Sequence, residues 1–273
     1  MPTSNQPEPV SERFIDLSRA RRIWAVAAVH GDAERLSALH DAIGARFEGG
    51  DRLIYLGDLL GGGDVRATLS EALRFRRSVL ALPPLYLPED IVYLRGRQEE
   101  MWHKLLQIHF APKPKDLLHW MLERGVDATL RSYGGDPDQG FAAANEGMVA
   151  LTRWTGRLKA AMQAVPGHHA WFSALRRYAH SGPGGVLFVH AGLDPARALA
   201  DQRDAFWWES GAFARAASGF EGFARIVRGF DPAGGGWSED GAILTIDAGC
   251  GKGGPLVAVC LAPDGSLLDR LEA

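Results

Sequence analysis

Cysteine is scarce in this chain. Only Cys250 and Cys260 occur among 273 residues, both late and without zinc-ligand spacing, so neither a zinc module nor a disulfide framework is expected. Long apolar runs are also missing, and no stretch reaches the length of a membrane-crossing helix. The opening residues 1–12 are polar and contain proline, so they do not read as a secretion signal, and residues 1–20 are expected to form a disordered N-terminal segment. Charge of one sign is lacking too. The net charge is -3, and the densest basic block, Arg74-Phe-Arg-Arg77, reads as a solvated helix face. These absences argue against nucleic acid and membrane as partners and point to a cytoplasmic protein. Internal repeats and low-complexity tracts are absent as well.

What remains is material for a sizeable core. With 46% hydrophobic residues the chain can bury one large domain, expected over residues 21–265. An apolar strand at residues 23–29 runs into His30-Gly31-Asp32, and a helix follows with Leu36, Leu39, Ile43 and Phe47 at helical spacing, Asp32 placed to cap it. A second short apolar run at 53–56 has the length of a buried parallel strand. It delivers Gly57-Asp58 into a loop with Gly61-Gly62-Gly63. Strand, helix and strand make a βαβ unit, and in open α/β sheets sites form at the carboxyl edge. After a helix over 65–80, a third strand at 91–95 ends in Gly96-Arg97-Gln98-Glu99.

Residues from about 100 to 181 are helical in pattern and read as an insertion over the sheet edge, with helices at 117–123, 143–164 and 169–178. Strands return at 186–190, 223–227, 243–246 and 256–261, the last two expected to be neighbours in a second sheet. His30, Asp58 and His190 each end a strand. Each could simply cap or hydrogen-bond a turn, but three such junctions in one chain form a metal-ligand vocabulary.

In this order the motifs resemble the calcineurin-like metallophosphoesterases, nearest their phosphoprotein-phosphatase branch, which includes bacterial serine/threonine phosphatases and diadenosine tetraphosphatases. The resemblance rests on the His30-Gly31 junction, Gly57-Asp58 in its glycine loop, Leu94-Arg-Gly-Arg-Gln-Glu99 and Phe188-Val-His-Ala-Gly-Leu193. Asp127-Ala-Thr-Leu-Arg-Ser-Tyr-Gly-Gly135 and Asp247-Ala-Gly-Cys-Gly-Lys-Gly-Gly254 resemble further segments of that branch, as do Gln202 and Trp207-Trp208. It implies an α/β two-sheet sandwich flanked by helices, carrying two metal ions that clamp a phosphate and activate a water.

At the positions that would carry this chemistry the chain departs from the family pattern. His30, Asp58 and His190 match family ligands. Ala28 stands where a ligand Asp is expected. Gly61 and Gly62 replace an Asp and a phosphate-gripping Arg, and Arg97 replaces a ligand Asn. Gln98 takes the place of the catalytic His, Glu209 of a second Arg, and Phe230 of a final ligand His. The pattern implies a pseudophosphatase with a binding or regulatory role toward an unknown protein or small molecule, and no cofactor. The alternative is a reduced hydrolase, a serine/threonine phosphatase or dinucleoside tetraphosphatase type, using one divalent ion of Mn, Fe or Zn type. Asp32, Asp64, Glu99 and Asp231 lie near motif positions and read as helix caps or solvated loop carboxylates. Trp207, Trp208 and Trp237 could line a binding cleft or belong to the core. Arg97, a guanidinium at a lost ligand position, is expected to pair with Asp58 in the place of the second ion.

Overall fold

A computed structural model of the chain describes residues 14–83, 85–208 and 211–273. The expected disorder of residues 1–13 lies outside the described residues. The remainder of that segment departs from expectation, because Phe14–Asp16 form a strand, β1. Sequence polarity near a terminus misses a short edge strand whose ordering comes from a distant partner.

In chain order β2 (Ile23–Val26) leads to α1 (Ala33–Gly44), β3 (Arg52–Tyr55), α2 (Val65–Leu80) and β4 (Ile91–Tyr93). Both helices start where a carboxylate can cap them. Asp32 accepts from the Arg35 backbone N–H, and Asp64 from that of Ala67, each at 3.0 Å. Leu36, Leu39 and Ile43 give α1 one buried stripe, and Val65, Leu69, Ala72 and Val79 do the same for α2.

Six helices follow: α3 (Arg97–Leu105), α4 (Pro114–Leu122), α5 (Val126–Ser132), α6 (Pro137–Glu146), α7 (Met148–Gln163) and α8 (His168–Ser173). Gly125, expected to stop a helix, takes φ 90° and also begins α5. The helix expected over 143–164 is two helices, broken at Gly147 with φ 109°, a left-handed backbone that side chains resist. The helix expected to reach Tyr178 ends at Ser173, and Tyr178 opens a strand.

Then come β5 (Tyr178–His180), β6 (Val186–Val189), the short α9 (Ala205–Trp208), β7 (Arg225–Arg228), β8 (Ser238–Asp240), β9 (Ile243–Thr245), β10 (Val257–Leu261) and β11 (Leu267–Glu272). The strands form two sheets, ordered β11-β10-β2-β3-β4 and β1-β5-β6-β7-β9-β8. Strands β2, β3 and β4 are parallel to one another, and so are β6, β7 and β9. The expected pairing of the last two apolar strands is incorrect: β9 lies in the six-stranded sheet, whereas β10 pairs antiparallel with β2. Both are wholly buried runs, so their patterns carry no mark of which sheet they join. The result is the expected α/β architecture, two sheets flanked by helices. Among the described residues no helix is long and apolar enough to cross a membrane.

Candidate functional site

Every motif residue sits just beyond the carboxyl end of a parallel strand: His30 after β2, Asp58 after β3, Arg97 and Gln98 after β4, His190 after β6 and Phe230 after β7. The strands of both sheets therefore deliver polar loops to one place. Backbone hydrogen bonds tie the loops together. The amides of Val29 and His30 donate to the Asp58 carbonyl, Ala28 donates to Gly229, and Gly229 and Phe230 donate to His190. His30 and Asp58 themselves have φ 50° and 51°, a strained conformation for residues with side chains. The glycine loop approaches so closely that a Cβ on Gly62 would lie 2.1 Å from the His30 carbonyl oxygen.

Asp58 is the hub and is wholly buried. Its Oδ1 accepts from the Gln98 backbone N–H at 2.7 Å, at the first turn of α3, and lies 3.5 Å from His190 Nε2. Its Oδ2 is 3.8 Å from His30 Nδ1 and has no hydrogen-bond partner. The structure thus brings His30, Asp58 and His190 together. His190 Nδ1 faces the Leu56 carbonyl at 2.7 Å, so it carries the proton there and donates. Burial lowers the pKa of His190 and of His30, against the pull of the Asp58 charge. With a neutral ring, His190 Nε2 is an acceptor facing the carboxylate, and it too is unpartnered.

The expected Arg97–Asp58 pair does not form. No ion pair joins them, and the Arg97 guanidinium carbon instead lies 4.4 Å from the centroid of the Phe230 ring. The physical reason is that the first turn of α3 already supplies Asp58 with a backbone N–H and a favourable helix dipole. The ring then offers the cation a face. Phe230 also stacks parallel on His190, with centroids 5.3 Å apart, and meets His30 edge-on at 5.5 Å. With Ala28 and Ala191 it forms a small separate apolar cluster. The Gln98 side chain turns away and donates to the Arg124 carbonyl at 2.8 Å; a Cβ on Gly61 would collide with it. Glu209 lies outside the described residues.

Two carboxylates expected as caps or solvated groups are buried, Glu99 while also capping the start of α3. Glu99 accepts backbone N–H bonds from Asp58, Leu60 and Gly96, at 2.8, 2.9 and 2.7 Å, so it fastens two motif loops to each other. Burial and the neighbouring Asp58 charge push its carboxyl up. Asp231 pairs with Arg228 at 3.1 Å and accepts from the amides of Ala233 and Gly235. Asp32 and Asp64 cap helices as expected.

Beside the hub a cavity of about 270 Å³ opens between His30, Phe230, Asp247 and Lys252. Its far wall is the glycine-rich loop after β9, whose Lys252 and Asp247 escaped the sequence reading except as part of a resembling segment. None of Trp207, Trp208 and Trp237 lines it. Trp207 is buried, Trp208 packs on the core, and Trp237 lies under the Arg270 guanidinium at 3.9 Å.

Comparison with solved structures decides the fold. A structure described as that of a candidate diadenosine tetraphosphatase superposes with a TM-score of 0.54 at 16% identity, covering 96% of this chain and 97% of the other. A protein serine/threonine phosphatase from Saccharomyces cerevisiae, with similarity to human phosphatase PP5, gives 0.52 at 15% identity, covering 96% and 83%. The chain has the calcineurin-like metallophosphoesterase fold. No protein-family model matches it, and no curated protein matches it at the level of sequence. In the metallophosphoesterase frame, the ring of Phe230 and the guanidinium of Arg97 lie beside His30, Asp58 and His190, each on the loop after a neighbouring strand. Among the described residues no group of three or more His, Cys, Asp or Glu side chains is arranged to hold a metal ion.

Proposed function

We propose that this chain is a pseudophosphatase: a metallophosphoesterase-fold protein with a degenerate metal site, whose cleft serves binding or regulation rather than phosphoester hydrolysis. One observation carries the reading. The Phe230 ring stacks on His190, and the Arg97 cation sits over that ring. A phenyl ring donates nothing to a metal, and a guanidinium beside the ligands repels a cation. Ala28 adds a methyl group where a donor would be needed. The residues present therefore do not fit a dinuclear centre, and no hydrolytic step is assigned to them.

A second reading is favoured by a specific contact. Asp58 Oδ1 and His190 Nε2 are both acceptors, buried and 3.5 Å apart. Two facing acceptors are held together best by a shared cation or proton, which leaves room for a single-metal phosphoesterase. One experiment separates the readings: metal analysis of protein purified with added manganese, with an assay on generic aryl phosphates. The pseudophosphatase reading expects substoichiometric metal and no turnover. Turnover that depends on manganese and disappears in Asp58→Asn would overturn it.

A further inference from the structure

We infer that the chain has a second binding site, for an apolar molecule bearing one carboxylate, on the flank where the two sheets present their edges. A cavity of about 580 Å³ lies there, within the range of small-ligand pockets. It shares no lining residue with the cleft at His30. Its walls come from α2, β4, α8 and β1. β4 ends the five-stranded sheet and β1 the six-stranded one. At this flank the Arg176 backbone bridges to the end of β4: its N–H donates to the Tyr93 carbonyl and its carbonyl accepts from Arg95.

The lining chemistry is lopsided. Leu73, Val92 and Trp171 represent an otherwise apolar wall. Arg76, Arg77 and Arg176 face it, with Glu89 as the sole acid among the described lining residues. The side chains of Arg76 and Arg77 make no ion pair or hydrogen bond among the described residues. Arg176 spends one guanidinium nitrogen on the Ala174 carbonyl at 3.0 Å, while its Nε is buried and unpartnered. Trp171 is 3% exposed, and its indole Nε1 is likewise buried without an acceptor.

The guanidinium groups of Arg76 and Arg77, without a partner among the described residues, border one apolar space, and Arg176 and Trp171, which also line it, each keep a buried donor without an acceptor. Three guanidinium groups face a single carboxylate, Glu89, so the wall is short of negative charge. A carboxylate supplies it, because its two oxygens match the guanidinium fork. An apolar body attached to that carboxylate covers the remaining wall. Neither feature alone indicates a ligand; together they specify its charge, its polarity pattern and its approximate size.

Calorimetric titration with decanoate, kept below its micelle concentration, tests the site. Methyl decanoate serves as the uncharged counterpart and acetate as the head group alone. The expected result is saturable one-to-one binding of decanoate, at least tenfold weaker binding of the ester, and none of acetate. Arg76→Gln with Arg77→Gln, on the surface of α2, should weaken decanoate at least tenfold with the melting temperature unchanged. Ala170→Leu, which narrows the cavity, should weaken binding at least tenfold; circular dichroism of each variant confirms that it is folded. No saturable decanoate binding overturns the proposal, as does equal affinity for acid and ester, or binding that survives both the arginine and the narrowing variants.

Discussion

At the scale of the residue, the stacking of Arg97 on Phe230 can be separated from the pairing with Asp58 that the sequence led one to expect. Truncating Arg97 and Phe230 singly and together should give a coupling of about 0.5–2 kcal/mol by urea denaturation, the range for a partly desolvated cation over a ring. The same cycle on Arg97 and Asp58 should be additive within about 0.5 kcal/mol, since no contact joins them. A larger coupling in the second cycle than in the first would mean that the guanidinium prefers the carboxylate in solution. Phe230 is 1% exposed, so Phe230→Ala alone should cost about 3–5 kcal/mol through the cavity it leaves.

At the scale of the element, the glycine loop after β3 is shaped by its neighbour rather than by its own sequence. Gly62 has φ 70°, and any Cβ there meets the His30 carbonyl. Reinstating the arginine of the family pattern by Gly62→Arg should therefore destabilise the fold by more than about 2 kcal/mol, read as a shifted denaturation midpoint, and should not restore phosphate binding. An unchanged midpoint would show that the loop rearranges freely.

Between α1, α2 and β3 runs a buried polar chain. The Tyr55 hydroxyl donates to His40 Nε2 at 2.7 Å, and His40 Nδ1 donates to Glu71 Oε1 at 2.7 Å. Arg74 grips the same carboxylate at 2.7 and 2.8 Å. Burial pushes the Glu71 carboxyl up, but the hydrogen bonds from His40 and Arg74 outweigh it and hold the group at about 2. A carboxyl lowered on folding adds stability that is present above its ordinary value and lost as pH falls toward the lowered one. The stability advantage of the wild-type chain over Glu71→Gln should thus be full at pH 6 and shrink from about pH 4.5 down to about pH 2. An advantage that grows on acidification would contradict this sign.

At the scale of the whole molecule, a ligand that binds only the folded state raises the melting temperature, by an amount that grows with the logarithm of one plus its concentration over Kd. If no cation is held at Asp58, millimolar manganese should leave the melting temperature of the wild type and of Asp58→Asn equally unmoved. A shift confined to the wild type would identify one bound ion and favour the single-metal reading, whatever the activity.

Most of the architecture was legible along the chain because β2, β3, β4 and β6 are short apolar runs that end in punctuation, and because Asp32 and Asp64 precede amphipathic helices. The order of those junctions was enough to anticipate that His30, Asp58 and His190 meet. Local pattern said nothing about partners distant in sequence. It could not place β9 and β10 in different sheets, since both are buried on both faces, nor show that β1 pairs with β5 more than 160 residues away. It read Glu99 as a helix-start acid, which it is, but did not show that the fold buries it among the amides of two loops. It sent Arg97 to Asp58, whereas the helix N-terminus already supplies one oxygen of that carboxylate with a backbone N–H. Composition and periodicity by themselves determine which segments must be buried and where strands end. Which buried group meets which, and therefore whether a ring or an ion lies beside Asp58, is decided only when both sheets close, because burial energy is non-directional and hydrogen-bond geometry is not.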